Sequence, residues 1–161
     1  IPVAIIPHDR EISDIDTILA PVDMSDCSRG SLQLAVRLAA DHGSALHVLH
    51  ALPVPTATLV PYEADIPPVD IEEYQQQARN ALDTFIAGVD TGELNVTAEQ
   101  VIETPWRAIV NHAEGEMADL VVMGTHGRGG LQRWFLGSTA TKVLRHASCP
   151  VVTTRYEQPD A

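Results

Sequence analysis

Residues 118–138 read ADLVVMGTHGRGGLQRWFLGS, and they decide the fold. ADLVVM is the most apolar run in the chain and shows no alternation of apolar and polar residues. That is the pattern of a strand buried on both faces, as in parallel sheets covered by helices. Five glycines follow among the fifteen residues from Gly124 to Ser138. Bare backbone laid down directly after a buried strand marks a candidate ligand site, because open α/β sheets bind ligands beyond the carboxyl ends of their strands.

Working outward, the rest of the chain repeats the same unit. TILAPVD (Thr17–Asp23) is a short apolar run closed by Pro and Asp, and reads as a buried strand. SDCSRGSLQLAVRLAADHG follows as a helix, with Ser25 or Asp26 as its cap and Leu32, Ala35, Val36 and Ala39 on one face. Gly43 suits the position just past its end. ALHVLHAL (Ala45–Leu52) is a second strand, and a proline-rich connection runs from Pro53 to Pro68. Ile71, Tyr74, Ala78, Leu82 and Phe85 then recur at helical spacing. VTAEQVIE (Val96–Glu103) is a third strand, and Thr104-Pro105 opens a helix through about Met117. DLVVMG is a fourth strand, Ser138 to His146 a last helix, and CPVVTTR a fifth strand. Strand and helix in alternation imply an α/β fold, a parallel sheet with helices on both faces.

Composition bounds the function. The 161 residues suit one domain, and an apolar fraction of 45% is enough for a core without staples. A net charge of −12 argues against a nucleic-acid binder, which needs a basic face. No apolar run approaches the roughly 20 residues of a membrane span, and no signal-peptide pattern opens the chain, so a cytoplasmic setting without membrane insertion is expected. Cys27 and Cys149 lie far apart and form no CxxC, which favours reduced thiols.

The glycine loop has a specific chemistry. Glycine lets backbone N–H groups approach an anion, successive N–H groups form a nest, and a following helix N-terminus adds about half a positive charge. Gly124, Gly127, Gly129 and Gly130 open the loop, and Gly137-Ser138-Thr139 begins the last helix. Two donor clusters around a bulkier LQRWFL segment suit a polyphosphate gripped from two sides. GxxxxGK[ST] is absent, and the first strand is followed by PVDMSDCS, which has no glycine. Neither a Walker loop nor a dinucleotide fingerprint is present.

The spacing Gly124-x2-Gly127-x9-Gly137-Ser138 resembles the ATP-binding signature of the universal stress protein family. The likeness runs from Thr17 to Thr154: ILAPVDMSDCS resembles that family's first strand and loop, LHVLHAL its second strand, DLVVMGTHGRGG its fourth strand, and LGSTATKVLRHASCPVV its last helix and strand. The resemblance implies an open, Rossmann-like sheet of five parallel strands in the order 3-2-1-4-5, with a domain over residues 17–155 and a C-terminal tail over 156–161. It implies ATP at the carboxyl ends of strands one and four. Pro21, Val22 and Asp23 would border the adenosine, Asp23 near the ribose, and Ala51 would lie against the adenine. Met123 and Gly124 would sit near the ribose, and Gly127, Gly137, Ser138 and Thr139 would hold the phosphates.

Other residues join the candidate set on their own chemistry. Asp23 serves equally as a cap for the following helix. Arg128 and Arg133 carry charge that neutralises phosphate, and Arg128 is favoured because it lies inside the nest beside Gly129. His126 lies between two glycines of the loop and is taken as a lining residue; no orienting carboxylate in the sequence makes it a general base. Cys27, near a helix N-terminus, reads as a packed thiol. The histidines show no HxxxH or HExxH spacing, so no protein metal site is expected, and Mg or Mn would enter with ATP, held mainly by the phosphates.

Three functions follow for test. The first is an ATP-binding stress-response or regulatory module with at most slow hydrolysis or autophosphorylation. The second is an adenine-nucleotide hydrolase of ATP-pyrophosphatase type, whose expected Ser-Gly-Gly loop after the first strand is missing from VDMSDCS. The third is an interaction module without ligand, at odds with the intact glycine–serine spacing.

The ends of the chain carry a further expectation. PVVTT reads as the edge strand of the sheet, and two such edges would pair antiparallel in a homodimer or a tandem-domain pair through Val151–Thr154. Residues 1–16 precede the domain, and PVAII within them echoes PVVTT, with a polar PHDREISDID behind it. This is the pattern of a preceding copy of the domain ending at Ile6, or of a single domain with an added edge strand. Either way Val3–Ile6 is expected to be extended and paired to a sheet edge, that of Val151–Thr154 in this chain or in a partner.

Overall fold

A computed structural model describes residues 2–7, 14–53, 70–115, 118–126 and 136–155. Six strands and four helices appear among them: β1 (Val3–Ile5), β2 (Thr17–Pro21), α1 (Asp26–His42), β3 (Ala45–Leu52), α2 (Ile71–Ala87), β4 (Val96–Ile102), α3 (Pro105–Gly115), β5 (Leu120–Gly124), α4 (Ser138–His146) and β6 (Val151–Thr154). They form one sheet in the order β1-β6-β5-β2-β3-β4. The pairs β2–β3, β2–β5, β3–β4 and β5–β6 are parallel. Counted from β2, the five parallel strands therefore stand in the order 3-2-1-4-5.

The alternation of side chains along a strand sorts the core into two layers. Ile18 and Ala20 of β2 and Val122 of β5 face α1 and α2, meeting Leu32, Ala35, Ala39, Leu82 and Phe85. Leu19, Val121, Met123 and Val151 point the other way, onto Ala108, Ile109 and Ala113 of α3 and Ala140 and Val143 of α4. Ile18, Leu19, Val121 and Val122 are at most 1% exposed, so the central strands are buried on both faces, which is why their sequences run apolar without alternation.

Local chemistry fixes the helix ends. The Ser25 side chain accepts from the Ser28 amide and caps α1, and Gly43 closes it in the left-handed region at φ 73°. Asp70 caps α2 through the Glu72 and Glu73 amides.

One expectation is corrected. Val151–Thr154 is not the edge of the sheet, because β1 lies outside it, antiparallel, with Val3 opposite Thr153, Ala4 opposite Val152 and Ile5 opposite Val151. The sheet thus has a sixth strand, and this chain's own N-terminal segment occupies the edge expected to meet a partner. No helix among the described residues is long and apolar enough to cross a membrane.

Candidate functional site

From β2 the chain runs through α1 to β3 on one side, and β5 lies on the other, so strand order reverses between β2 and β5. A crevice opens there beyond the carboxyl ends of the strands. It encloses about 460 Å³, within the range of small-molecule sites. Its floor is Pro21, Val22 and Asp23 after β2, Leu49 and Ala51 on β3, and Met123 and Gly124 on β5. Its walls are Ser28 of α1, Pro105 and Ile109 of α3, Thr125 and His126 after β5, and Leu136 to Ala140 at the start of α4.

The β2 end is held firmly. Val22 N–H donates to Leu49 O at 2.9 Å, continuing the ladder past the strand. The buried His50 ring places Nδ1 2.8 Å from Val22 O. Met24 then turns the chain through the left-handed region at φ 61°, a strained conformation for a residue with a side chain. This turn brings Ser25 back onto Asp23, whose Oδ1 accepts from the Ser25 amide at 3.1 Å and from Ser25 Oγ at 2.5 Å. Asp23 therefore braces the capping residue of α1 and also lines the crevice, so both roles foreseen for it are compatible.

The opposite wall is built by a close backbone approach. Gly137 N–H donates to Thr125 O at 2.8 Å. A Cβ on Gly137 would stand 2.9 Å from that same oxygen, so only glycine lets the α4 N-terminus lie this close to the end of β5. Gly137 has φ −60°, which any residue adopts; contact, not backbone freedom, selects glycine there. Its own amide is engaged with protein, so anion donors at this wall fall to the first-turn amides of α4. Helix geometry leaves the N–H groups of Ser138, Thr139 and Ala140 without intrahelical acceptors, and among the described residues no side chain caps α4. The positive end of the α4 dipole thus faces the crevice.

Two further polar atoms bear on the site. His126 Nδ1 lies 2.8 Å from Thr125 Oγ1, while its Nε2 is buried with no partner among the described residues. Thr154 Oγ1, at the end of β6, is likewise buried and unpartnered among them. A buried unsatisfied polar atom is costly, and a ligand atom that satisfies it recovers that cost.

Pro21, Val22, Asp23, Ala51, Met123, Gly124, His126, Gly137, Ser138 and Thr139 all meet in this one crevice. Gly127, Arg128 and Gly129 lie outside the described residues, as does Arg133. Sequence reasoning missed Ser28, Thr125, Pro105, Ile109 and His50. Thr125 was legible, because it separates two candidate residues. Pro105 and Ile109 were not, because only the docking of α3 beside β5 brings them over the crevice. Among the described residues no group of three His, Cys, Asp or Glu side chains is placed to hold a metal ion.

The fold and the chain both have known counterparts. Residues 14–155 match the model of the universal stress protein family. A universal stress protein of Thermus aquaticus is 35% identical over 140 residues, covering 86% of this chain and 98% of its own length. Universal stress protein Rv2005c of Mycobacterium tuberculosis is 30% identical over 159 residues, covering 96% of this chain but only 51% of its own length. Among solved structures, the protein MJ0577 aligns with a TM-score of 0.73 at 21% identity, over 91% of this chain and all of its own. A universal stress protein solved in complex with cAMP aligns with a TM-score of 0.59 at 24% identity, over 86% of this chain and 95% of its own.

Proposed function

The chain belongs to the universal stress protein family, and we propose that it is an ATP-binding regulatory module of that family, with the crevice between β2 and β5 as its nucleotide site. The observation that carries this reading is the N-terminus of α4, capped by no described side chain, facing a crevice that also holds the buried His126 Nε2, unpartnered among the described residues. Amide donors and a helix dipole at one end suit phosphate. Apolar walls at the other end, from Val22, Leu49, Ala51 and Ile109, suit a base. That a universal stress protein of similar fold was solved with cAMP supports a nucleotide in this position.

In this reading Val22 and Ala51 flank the adenine, Asp23, Met123 and Gly124 border the ribose, and Ser138 and Thr139 donate to the phosphates. Gly127, Arg128 and Gly129 complete the phosphate grip from the far side. Mg or Mn accompanies ATP on the phosphates. Hydrolysis is at most slow. Asp23 is the only carboxylate among the described lining residues, and its Oδ1 is committed to Ser25. The interaction-module alternative is weaker, because a protein that has lost its ligand has no reason to retain an open helix end over a crevice. Val3–Ile5 is read as an added edge strand copying the last strand, the arrangement of two such domains in tandem, and assembly is assigned to that edge.

Affinities for ATP, ADP, AMP and adenosine, measured by equilibrium dialysis, test the assignment of the two ends. Affinity should rise with each phosphate. Equal affinities across the series would remove the α4 end from the site.

A further inference from the structure

We propose that β1 is an internal stand-in for the last strand of a second copy of this domain, and that it holds closed an edge at which two chains would otherwise join about a two-fold axis through Val152. The inference rests on strand register, and stands independently of the nucleotide reading.

The sequence echo aligns Pro2-Val3-Ala4-Ile5-Ile6 with Pro150-Val151-Val152-Thr153-Thr154. The observed partners are Val3 with Thr153, Ala4 with Val152, and Ile5 with Val151. Replacing each β1 residue by its counterpart turns these into 151 with 153, 152 with 152, and 153 with 151. The set is closed on itself, with residue 152 facing its own copy. β1 therefore lies where the β6 of a second chain would lie in a symmetric antiparallel pair, the self-complementary contact that a two-fold axis requires.

Exposure shows what the stand-in lacks. Val151 is 2% exposed and Thr153 5%, each covered by its own domain, whereas their counterparts Val3 and Ile5 are 54% and 44% exposed. Val3, Ile5 and Ile6 are three of the four exposed large apolar residues among those described. β1 thus has the residues of a strand covered on both faces and none of the cover. A second copy brings both the strand and the body behind it. The tether explains why β1 holds the place instead: a segment on the same chain competes at a high effective concentration.

The test uses the full chain. Adjacent strand residues send their N–H groups to opposite sides, so Val3→Pro with Ala4→Pro removes whichever of the two faces β6. This variant should be a dimer by light scattering at tens of micromolar, while the unchanged chain is a monomer. Adding Val152→Cys should then give, on oxidation, a disulfide between the introduced thiols of two chains, since directly opposed strand residues lie within disulfide reach. The native thiols, Cys27 and Cys149, are buried. With β1 intact, Val152→Cys alone should not cross-link, whereas Ala4→Cys with Val152→Cys should close a disulfide within one chain. A proline variant that keeps its circular dichroism and stays monomeric would overturn the proposal. So would a dimer whose introduced thiols at position 152 fail to link, or cross-linking of Val152→Cys with β1 intact. Should the proline variant fail to fold, absence of the intrachain bond in the Ala4→Cys, Val152→Cys chain overturns the register on which the inference stands.

Discussion

Replacing Gly124 by alanine probes the join between β5 and the start of α1, where the crevice floor is set. A Cβ on Gly124 would stand 2.7 Å from Cys27 Sγ, 3.3 Å from the Cys27 carbonyl carbon and 3.4 Å from its Cβ. Comfortable contact lies at about 3.5–4.0 Å, so the methyl must push Cys27 away by roughly 1 Å. Cys27 is 7% exposed, and its Sγ sits 3.6 Å from Thr154 O, so there is little room behind it. Overpacking of this kind costs about 1–3 kcal/mol. For a chain of this size each kcal/mol lowers Tm by roughly 2–4 °C. The displacement also lifts α1 from the β5 end, so ATP affinity should fall about tenfold, equivalent to about 1.4 kcal/mol of binding. Urea unfolding and calorimetric titration measure the two effects. Cys27→Ala in the same chain removes the nearest atom and should recover part of the loss, giving a coupling of about 0.5–3 kcal/mol in the double-mutant cycle. Stability within about 0.5 kcal/mol of the parent, the range of an uneventful surface change, with unchanged ATP affinity, would refute this account of the floor.

Four other perturbations act on the same geometry. Gly137→Val sets a branched side chain against Thr125 O and should reduce ATP affinity more than stability, as separate binding and melting curves would reveal. Ser25→Ala removes the α1 cap and should cost about 1 kcal/mol in chemical denaturation, with a smaller effect on ATP than Asp23→Ala, which removes a crevice residue as well. Ser138→Ala with Thr139→Ala should weaken ATP while leaving adenosine binding essentially unchanged; equal losses for both ligands would place these hydroxyls away from the phosphates. EDTA should leave the melting temperature of the nucleotide-free chain unchanged, since no cluster of metal-binding side chains is found among the described residues.

The parallel sheet was legible because both-face burial leaves a plain mark: LVVM in β5 and ILA in β2 are apolar without interruption. The cap at Ser25 was equally plain, because its side chain acts on an amide only three residues away. Strand order came from family likeness, since no local pattern tells β2 to lie between β3 and β5. The site residues contributed by strand ends were legible for the same reason as the strands. Ile109 and Pro105 reach the crevice only through the packing of α3, a long-range event that leaves no local signal. Gly137 was recognised, but its role was misplaced: its amide serves Thr125 instead of an anion, which only the distance between two backbones reveals. The edge was misassigned because antiparallel pairing of the short β1 depends on a contact across nearly the whole chain, though the echo between PVAII and PVVTT pointed to it.

The crevice between β2 and β5 is read as taking ATP with its phosphates at the α4 N-terminus. Calorimetric titration of the full chain with ATP and magnesium, repeated with Ser138→Ala/Thr139→Ala, tests this most directly. The expected result is saturable binding of one ATP per chain, weakened in the variant while its melting temperature in the absence of nucleotide is retained. No heat and no saturation at millimolar ATP, or full affinity in the variant, would contradict it.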